Sequence, residues 1–150
     1  MRLRGTPVFP RNMVLGCIQD NRLIYEYGRE MARQCREMGV QVNFAPVADV
    51  NINPDNPVIN TRSFGEDPVK VADKVIAYAS GLESGKVLSV CKHFPGHGDT
   101  DVDSQRHCLC YHLRASAWTV LNCILLKKLF VPGSEVHKPH YGIRMKANHL

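Results

Sequence analysis

No stretch of the 150-residue chain is apolar for long enough to cross a bilayer or to form the core of a secretory leader. No membrane span is therefore expected, and localisation stays open. Six cysteines are present, but none show the paired C-x2-C spacing of structural zinc sites. Cys91, His93 and His97, or His107, Cys108, Cys110 and His112, lack that pairing, so no metal is expected. Without a secretory leader, the cysteines do not define a disulfide framework either. The segment Gly81-Leu82-Glu83-Ser84-Gly85-Lys86 is one residue short of a phosphate-binding loop, lacks the Ser or Thr that would follow, and falls where a helix ends. Nothing in the sequence implies a cofactor.

Acidic residues almost vanish after Ser104. Residues 1–104 hold 12 Lys+Arg and 13 Asp+Glu, net −1, whereas residues 105–150 hold 7 and 1, net +6. The overall charge of +5 thus belongs to the last third of the chain. Its cations are scattered, with no aromatic interleaving and no helical phasing, so no nucleic-acid partner is expected.

The first two-thirds reads as repeated helix-then-strand units. Ile24, Tyr27, Met31, Cys35 and Met38 recur at three- and four-residue steps, with Asp20 or Asn21 as the cap and Gly39 as the stop. Val40-Gln41-Val42-Asn43-Phe44 follows as a short strand. Asp67-Pro68 opens a second helix whose stripe is Val71, Ala72, Val75, Tyr78, Ala79 and Leu82, closed by Gly85 and followed by a strand from Val87. Successive units of this kind predict parallel strands with helices packed outside. The connection from Ala45 to Arg62, rich in Asn and Pro, reads as too polar for the core.

Lys92-His93-Phe94-Pro95-Gly96-His97-Gly98-Asp99-Thr100-Asp101-Val102-Asp103-Ser104 crowds ionisable groups directly after the apolar Val87-Leu88-Ser89-Val90-Cys91. A buried strand cannot hold them, so it must stop near Lys92, and Pro95, Gly96 and Gly98 then turn the chain. Loops at the C-terminal ends of parallel strands are where such proteins place their chemistry.

This run resembles the signature of the family 3 glycoside hydrolases, in particular the bacterial β-N-acetylglucosaminidases. The resemblance extends back through Arg62-Ser63-Phe64-Gly65, Asn43-Phe44-Ala45-Pro46-Val47-Ala48-Asp49-Val50 and Phe9-Pro10. It implies an α/β fold, a TIM (β/α)8 barrel, and a glycosidase that hydrolyses O-glycosyl bonds of terminal β-linked N-acetylglucosamine through a covalent intermediate on an Asp. A whole barrel takes roughly 200 to 250 residues, so this chain is expected to be an incomplete one. By the same resemblance Met1 is an internal start, and the nucleophilic Asp would lie beyond Leu150. Lys92, His93, Arg62 and Arg2 match residues that bind the sugar, while Arg62 read alone could instead pair with Glu66 or Asp67. Asp103 matches the Asp of an Asp-His acid/base dyad. The family's His, whose unperturbed pKa near ~6.5 suits proton exchange, is replaced here by Gln105, an amide that cannot exchange a proton in this range. His97 reads as loop architecture.

The expected organisation is a partial barrel over 1–104 and an atypical, disordered tail over 105–150. A frameshift would explain the tail. One base lost from a His codon after Ser104 yields Gln105-Arg106-His107-Cys108-Leu109, and the restored frame through Lys128 can decode as HKTLPVLSPESERLDSFELYPFKK, which has the family's look. The expected partner is a carbohydrate, a β-N-acetylglucosaminide, bound by a chain without hydrolytic activity. The alternatives are a non-catalytic sugar-binding fragment and an unstable pseudogene product.

Overall fold

The computed structural model describes residues 5, 7–93 and 96–99. A short helix α1 (Asn12–Gly16) leads into the long α2 (Asn21–Glu37), then β1 (Val42–Asn43), a 3-10 turn at Asn60–Arg62, helix α3 (Pro68–Ser84) and β2 (Leu88–Ser89). The strands pair in parallel, Val42 with Leu88 and Asn43 with Ser89, which makes the fold α/β with helices against one side of the pair. Extended backbone carries the pairing past the strands: Leu88 N–H donates to the Gln41 carbonyl, Val90 N–H to Asn43 and Lys92 N–H to Pro46, and Ala48 N–H donates to Lys92.

Both long helices begin and end as their sequences direct. The Asp20 carboxylate accepts from the Arg22 amide at the start of α2, and the Asp67 carboxylate accepts from the Val69 and Lys70 amides at the start of α3, with Pro68 in the first turn. Each ends in a Schellman motif. In α2 the Gly39 and Val40 amides reach back to the Arg36 and Cys35 carbonyls, with Gly39 at φ +73°. In α3 the Lys86 and Val87 amides reach back to Glu83 and Leu82. The left-handed position there is Lys86, at φ +62°, one residue after the expected stop at Gly85. Gly85 has a different reason to be small, since a Cβ on it would lie 2.3 Å from the Ala32 side chain of α2.

The core lies between α2, α3 and the strands. Ile24, Met31 and Cys35 from α2 meet Val71, Ala72, Val75, Tyr78 and Leu82 from α3, together with Val87. Tyr27 stacks on Tyr78 with ring centroids 5.1 Å apart and meets Phe9 in a T-shaped arrangement at 5.0 Å. Met38, the last residue of the expected α2 stripe, is exposed instead, because the helix has ended by Glu37. Lys74 is buried on α3, where its ammonium group donates to the Ile18 carbonyl and the Asn21 side chain, tying the α1–α2 connection to α3. The outer side of α2 carries the ion pairs Arg29–Glu26 and Arg33 with Glu30 and Glu37.

The connection from Ala45 to Arg62 departs from its expected polar, non-core character. Val47, Ala48, Asp49, Val50, Asn51, Asn56 and Ile59 within it are buried. Its backbone is tied down over most of its length: the Asn51 amide donates to the Gly65 carbonyl, and the Ile52 and Asn53 amides both donate to Gly98. Polar side chains add further ties, and Asn56 is the clearest case. Its Oδ1 accepts from the Val58 and Ile59 amides, and its Nδ2 donates to the His97 carbonyl at 2.6 Å. No described helix is long and apolar enough to cross a membrane.

Candidate functional site

Both extended runs stop at the same end of the pair, and the ionisable side chains gather there. From the first run, the chain passes Pro46 and Val47 to Asp49, whose side chain is fully buried. From the second it reaches Lys92 and His93, joined by a cis peptide bond, and then Gly96 to Asp99. A carboxylate removed from water needs donors on its oxygens. Asp49 has three. Its Oδ2 accepts from the His93 backbone amide at 3.1 Å and faces the His93 ring Nδ1 at 2.6 Å, while its Oδ1 accepts from the His97 amide at 2.7 Å.

Arg62 reaches the same place from the 3-10 turn. Its Nη1 donates to the Val58 carbonyl at 2.9 Å, and its Nη2 lies 3.2 Å from the His93 Nε2. The turn that carries it is braced by α1, since the Asn12 side chain donates to the Arg62 carbonyl at 2.8 Å. Asp67, one of the two acids considered as ion-pair partners for Arg62, caps α3 instead. Lys92 stands beside these groups at the strand end. Burial holds its ammonium pKa below the ordinary lysine value, the nearby Arg62 cation pushes the same way, and the Asp49 carboxylate opposes them.

His97 is buried, and its backbone is held at both ends, the amide by Asp49 and the carbonyl by Asn56. Its ring meets that of His93 edge-on at 6.2 Å. The turn continues into Gly98, which packs directly on the first run: a Cβ there would lie 1.8 Å from the Val50 carbonyl oxygen. Among the described residues no group of three or more His, Cys, Asp or Glu is placed to hold a metal ion.

Of the residues expected at the site, the structure brings Arg62, Lys92 and His93 together. Arg2, Asp103 and Gln105 lie outside the described residues, as do His107, Cys108, Cys110 and His112. Sequence reasoning passed over Asp49 and Asn56. The signal for Asp49 was available: a carboxylate flanked by Val47, Ala48 and Val50 sits in an apolar run, and such a group is buried only with partners.

The family model for the glycosyl hydrolase family 3 N-terminal domain matches residues 1–116. The chain belongs to this family. It is 44% identical over 99 residues to β-hexosaminidase A of Pseudoalteromonas piscicida, covering 64% of this chain and 17% of that protein. Among solved structures it is similar to a glycoside hydrolase family 3 β-N-acetylglucosaminidase from Paenibacillus (TM-score 0.66, 43% identity, 69% of this chain and 20% of that one). It is also similar to NagZ from Neisseria gonorrhoeae in complex with N-trifluoroacetyl-D-glucosamine (TM-score 0.63, 33% identity, 71% of this chain and 33% of that one). The chain therefore spans less than a quarter of the curated relative and at most a third of these two structures.

Proposed function

We propose that the strand-end cluster binds the hydroxyl groups of a β-N-acetylglucosaminide, and that the chain does so as part of a retaining glycosidase barrel without hydrolysing the glycosidic bond itself. The observation that carries the reading is the convergence of Arg62, Lys92 and His93 around the buried Asp49. An arginine fork held at a fixed angle beside a partly desolvated ammonium group presents N–H donors in a defined direction, which suits recognition of sugar oxygens. The names of relatives add the sugar class, because the relatives are β-hexosaminidases and one solved structure holds an N-acylated glucosamine. Arg2 is assigned to the same sugar by its match to the family pattern.

The barrel reading has support of its own. Val42 and Leu88 are paired and exposed, and Phe44, two residues on from Val42 and so on the same face, is exposed as well. Further strands closing a (β/α)8 barrel would cover this apolar face. The absence of turnover rests on Gln105. Asp103 supplies one half of the family's acid/base dyad, and the amide at Gln105 cannot supply the other.

The test has two arms on the full 150-residue chain. Titration with N-acetylglucosamine, followed by NMR, is expected to show saturable binding weakened at least tenfold by Arg62→Lys. An aryl β-N-acetylglucosaminide is expected to remain intact. Absence of saturable binding by the wild-type chain, or binding unchanged in Arg62→Lys, would overturn the sugar site, and turnover abolished by Asp103→Ala would overturn the claim of inactivity.

A further inference from the structure

We propose that Asp49 is the positioning residue of this site, fixing the His93 ring in the tautomer with its proton on Nδ1 so that Nε2 is left as the acceptor that orients Arg62. The inference deepens the sugar-binding reading and rests on it for its functional meaning. Its structural content stands separately. A guanidinium has only donors, so an Nε2 that lies 3.2 Å from the Arg62 Nη2 makes a hydrogen bond only as an acceptor. The ring proton then belongs on Nδ1, where the Asp49 carboxylate at 2.6 Å takes it. The two contacts specify one tautomer, and the hydrogen bond on one ring nitrogen sets the role of the other.

The chain of contacts runs from Asp49 through the His93 imidazole to one Arg62 terminal nitrogen, while the Val58 carbonyl holds the other terminal nitrogen. The guanidinium is thereby fixed at two points and keeps its remaining N–H groups in one plane. The second Asp49 oxygen accepts from the His97 amide, so the same carboxylate also ties down the start of the turn that leads toward Asp99. An amide at this position could not reproduce the arrangement. Asp49→Asn has one oxygen acceptor for three donors, and its NH2 group would face an N–H.

The test is the ring-nitrogen spectrum of the full chain labelled with ¹⁵N-histidine. Wild-type His93 is expected to show a protonated Nδ1 and a bare Nε2. Asp49→Asn is expected to mix or invert that pattern and to weaken N-acetylglucosamine binding at least tenfold. Arg62→Lys, which removes the fork and leaves Asp49 in place, is expected to weaken binding while keeping the tautomer. A wild-type His93 with its proton on Nε2 overturns the proposal, as does a tautomer that survives Asp49→Asn in a chain retaining its helical circular dichroism. Should Asp49→Asn fail to fold, the wild-type spectrum and Arg62→Lys still decide. If the tautomer responds as expected but no variant or wild-type chain binds the sugar, the positioning stands and the sugar reading falls.

Discussion

Gly28 of α2 and Gly81 of α3 meet backbone to backbone: a Cβ on Gly81 would lie 2.2 Å from the Tyr25 carbonyl oxygen, and one on Gly28 2.4 Å from that of Tyr78. The two helices touch here without intervening side chains, which brings the flanking aromatic residues Tyr27 and Tyr78 into register for stacking. Gly81→Ala gains about 1 kcal/mol in helix propensity but forces a methyl group into backbone that has nowhere to move. Overpacking of this kind costs about 1–3 kcal/mol, and with backbone on the receiving side the upper part of that range is expected. A denaturation midpoint equal to or above the wild type would refute the close contact.

Lys86 offers the opposite change. A left-handed conformation costs an ordinary residue about 1–2 kcal/mol, and glycine adopts it without that cost. Lys86→Gly is therefore expected to stabilise the chain by up to about 1 kcal/mol, the rest being offset by the greater freedom of glycine in the unfolded chain. Equilibrium unfolding in urea checks this, and a reduced midpoint would mean that the α3 terminus is not shaped as described. Gly85→Ala, one residue earlier, is expected to destabilise through its contact with Ala32.

Removing the Asn56 side chain strips partners from two amides and a carbonyl. A buried polar group left unsatisfied costs about 1–3 kcal/mol. Asn56→Ala should accordingly lower stability by at least about 2 kcal/mol, and it should weaken sugar binding in the same variant, because the His97 carbonyl loses its tie. Calorimetry and the sugar titration together check both parts. Unchanged stability would show that the connection does not depend on this residue.

Acid should weaken the fold through α2 and the two helix caps. The Arg33 guanidinium, with help from Gln34, lowers the Glu30 carboxyl to about 2, and Arg22 lowers that of Asp20. The Lys70 and Val69 amides do the same for Asp67. Because these pKa values are depressed in the folded chain, their contribution to stability is complete above the unfolded values, near 4 for such acids. It is lost as the pH falls through the folded values, which for Glu30 means down to about 2. All three side chains face solvent, so salt should reduce the effect. Thermal midpoints measured from pH 6 to pH 2 should fall less steeply for Glu30→Gln than for the wild type, and parallel profiles would remove Glu30 from the account.

The helices were legible because their signals are local. Asp20, Asp67-Pro68 and Gly39 mark the ends, and the apolar stripe of α3 is buried residue for residue. The parallel pairing followed from the order of the units, and the stop near Lys92 followed from the crowding of charge. The connection 45–62 was not legible, because its buried residues follow no period and its order comes from side-chain hydrogen bonds to distant backbone, such as Asn56 to His97. The role of Asp49 was hidden for the same reason. Its partners stand 44 and 48 residues further along, a separation that no periodicity reveals.

That separation also dictates an order of assembly. The Asp49 carboxylate, six residues past β1, does not meet His93 and His97 until α3 has docked and brought them back, so the site cannot pre-exist the tertiary fold. Long-range closures of this kind come after local helix formation. The histidine spectrum should therefore lose its native signature in the same denaturant range in which α2 and α3 part company, even where each helix retains some winding of its own.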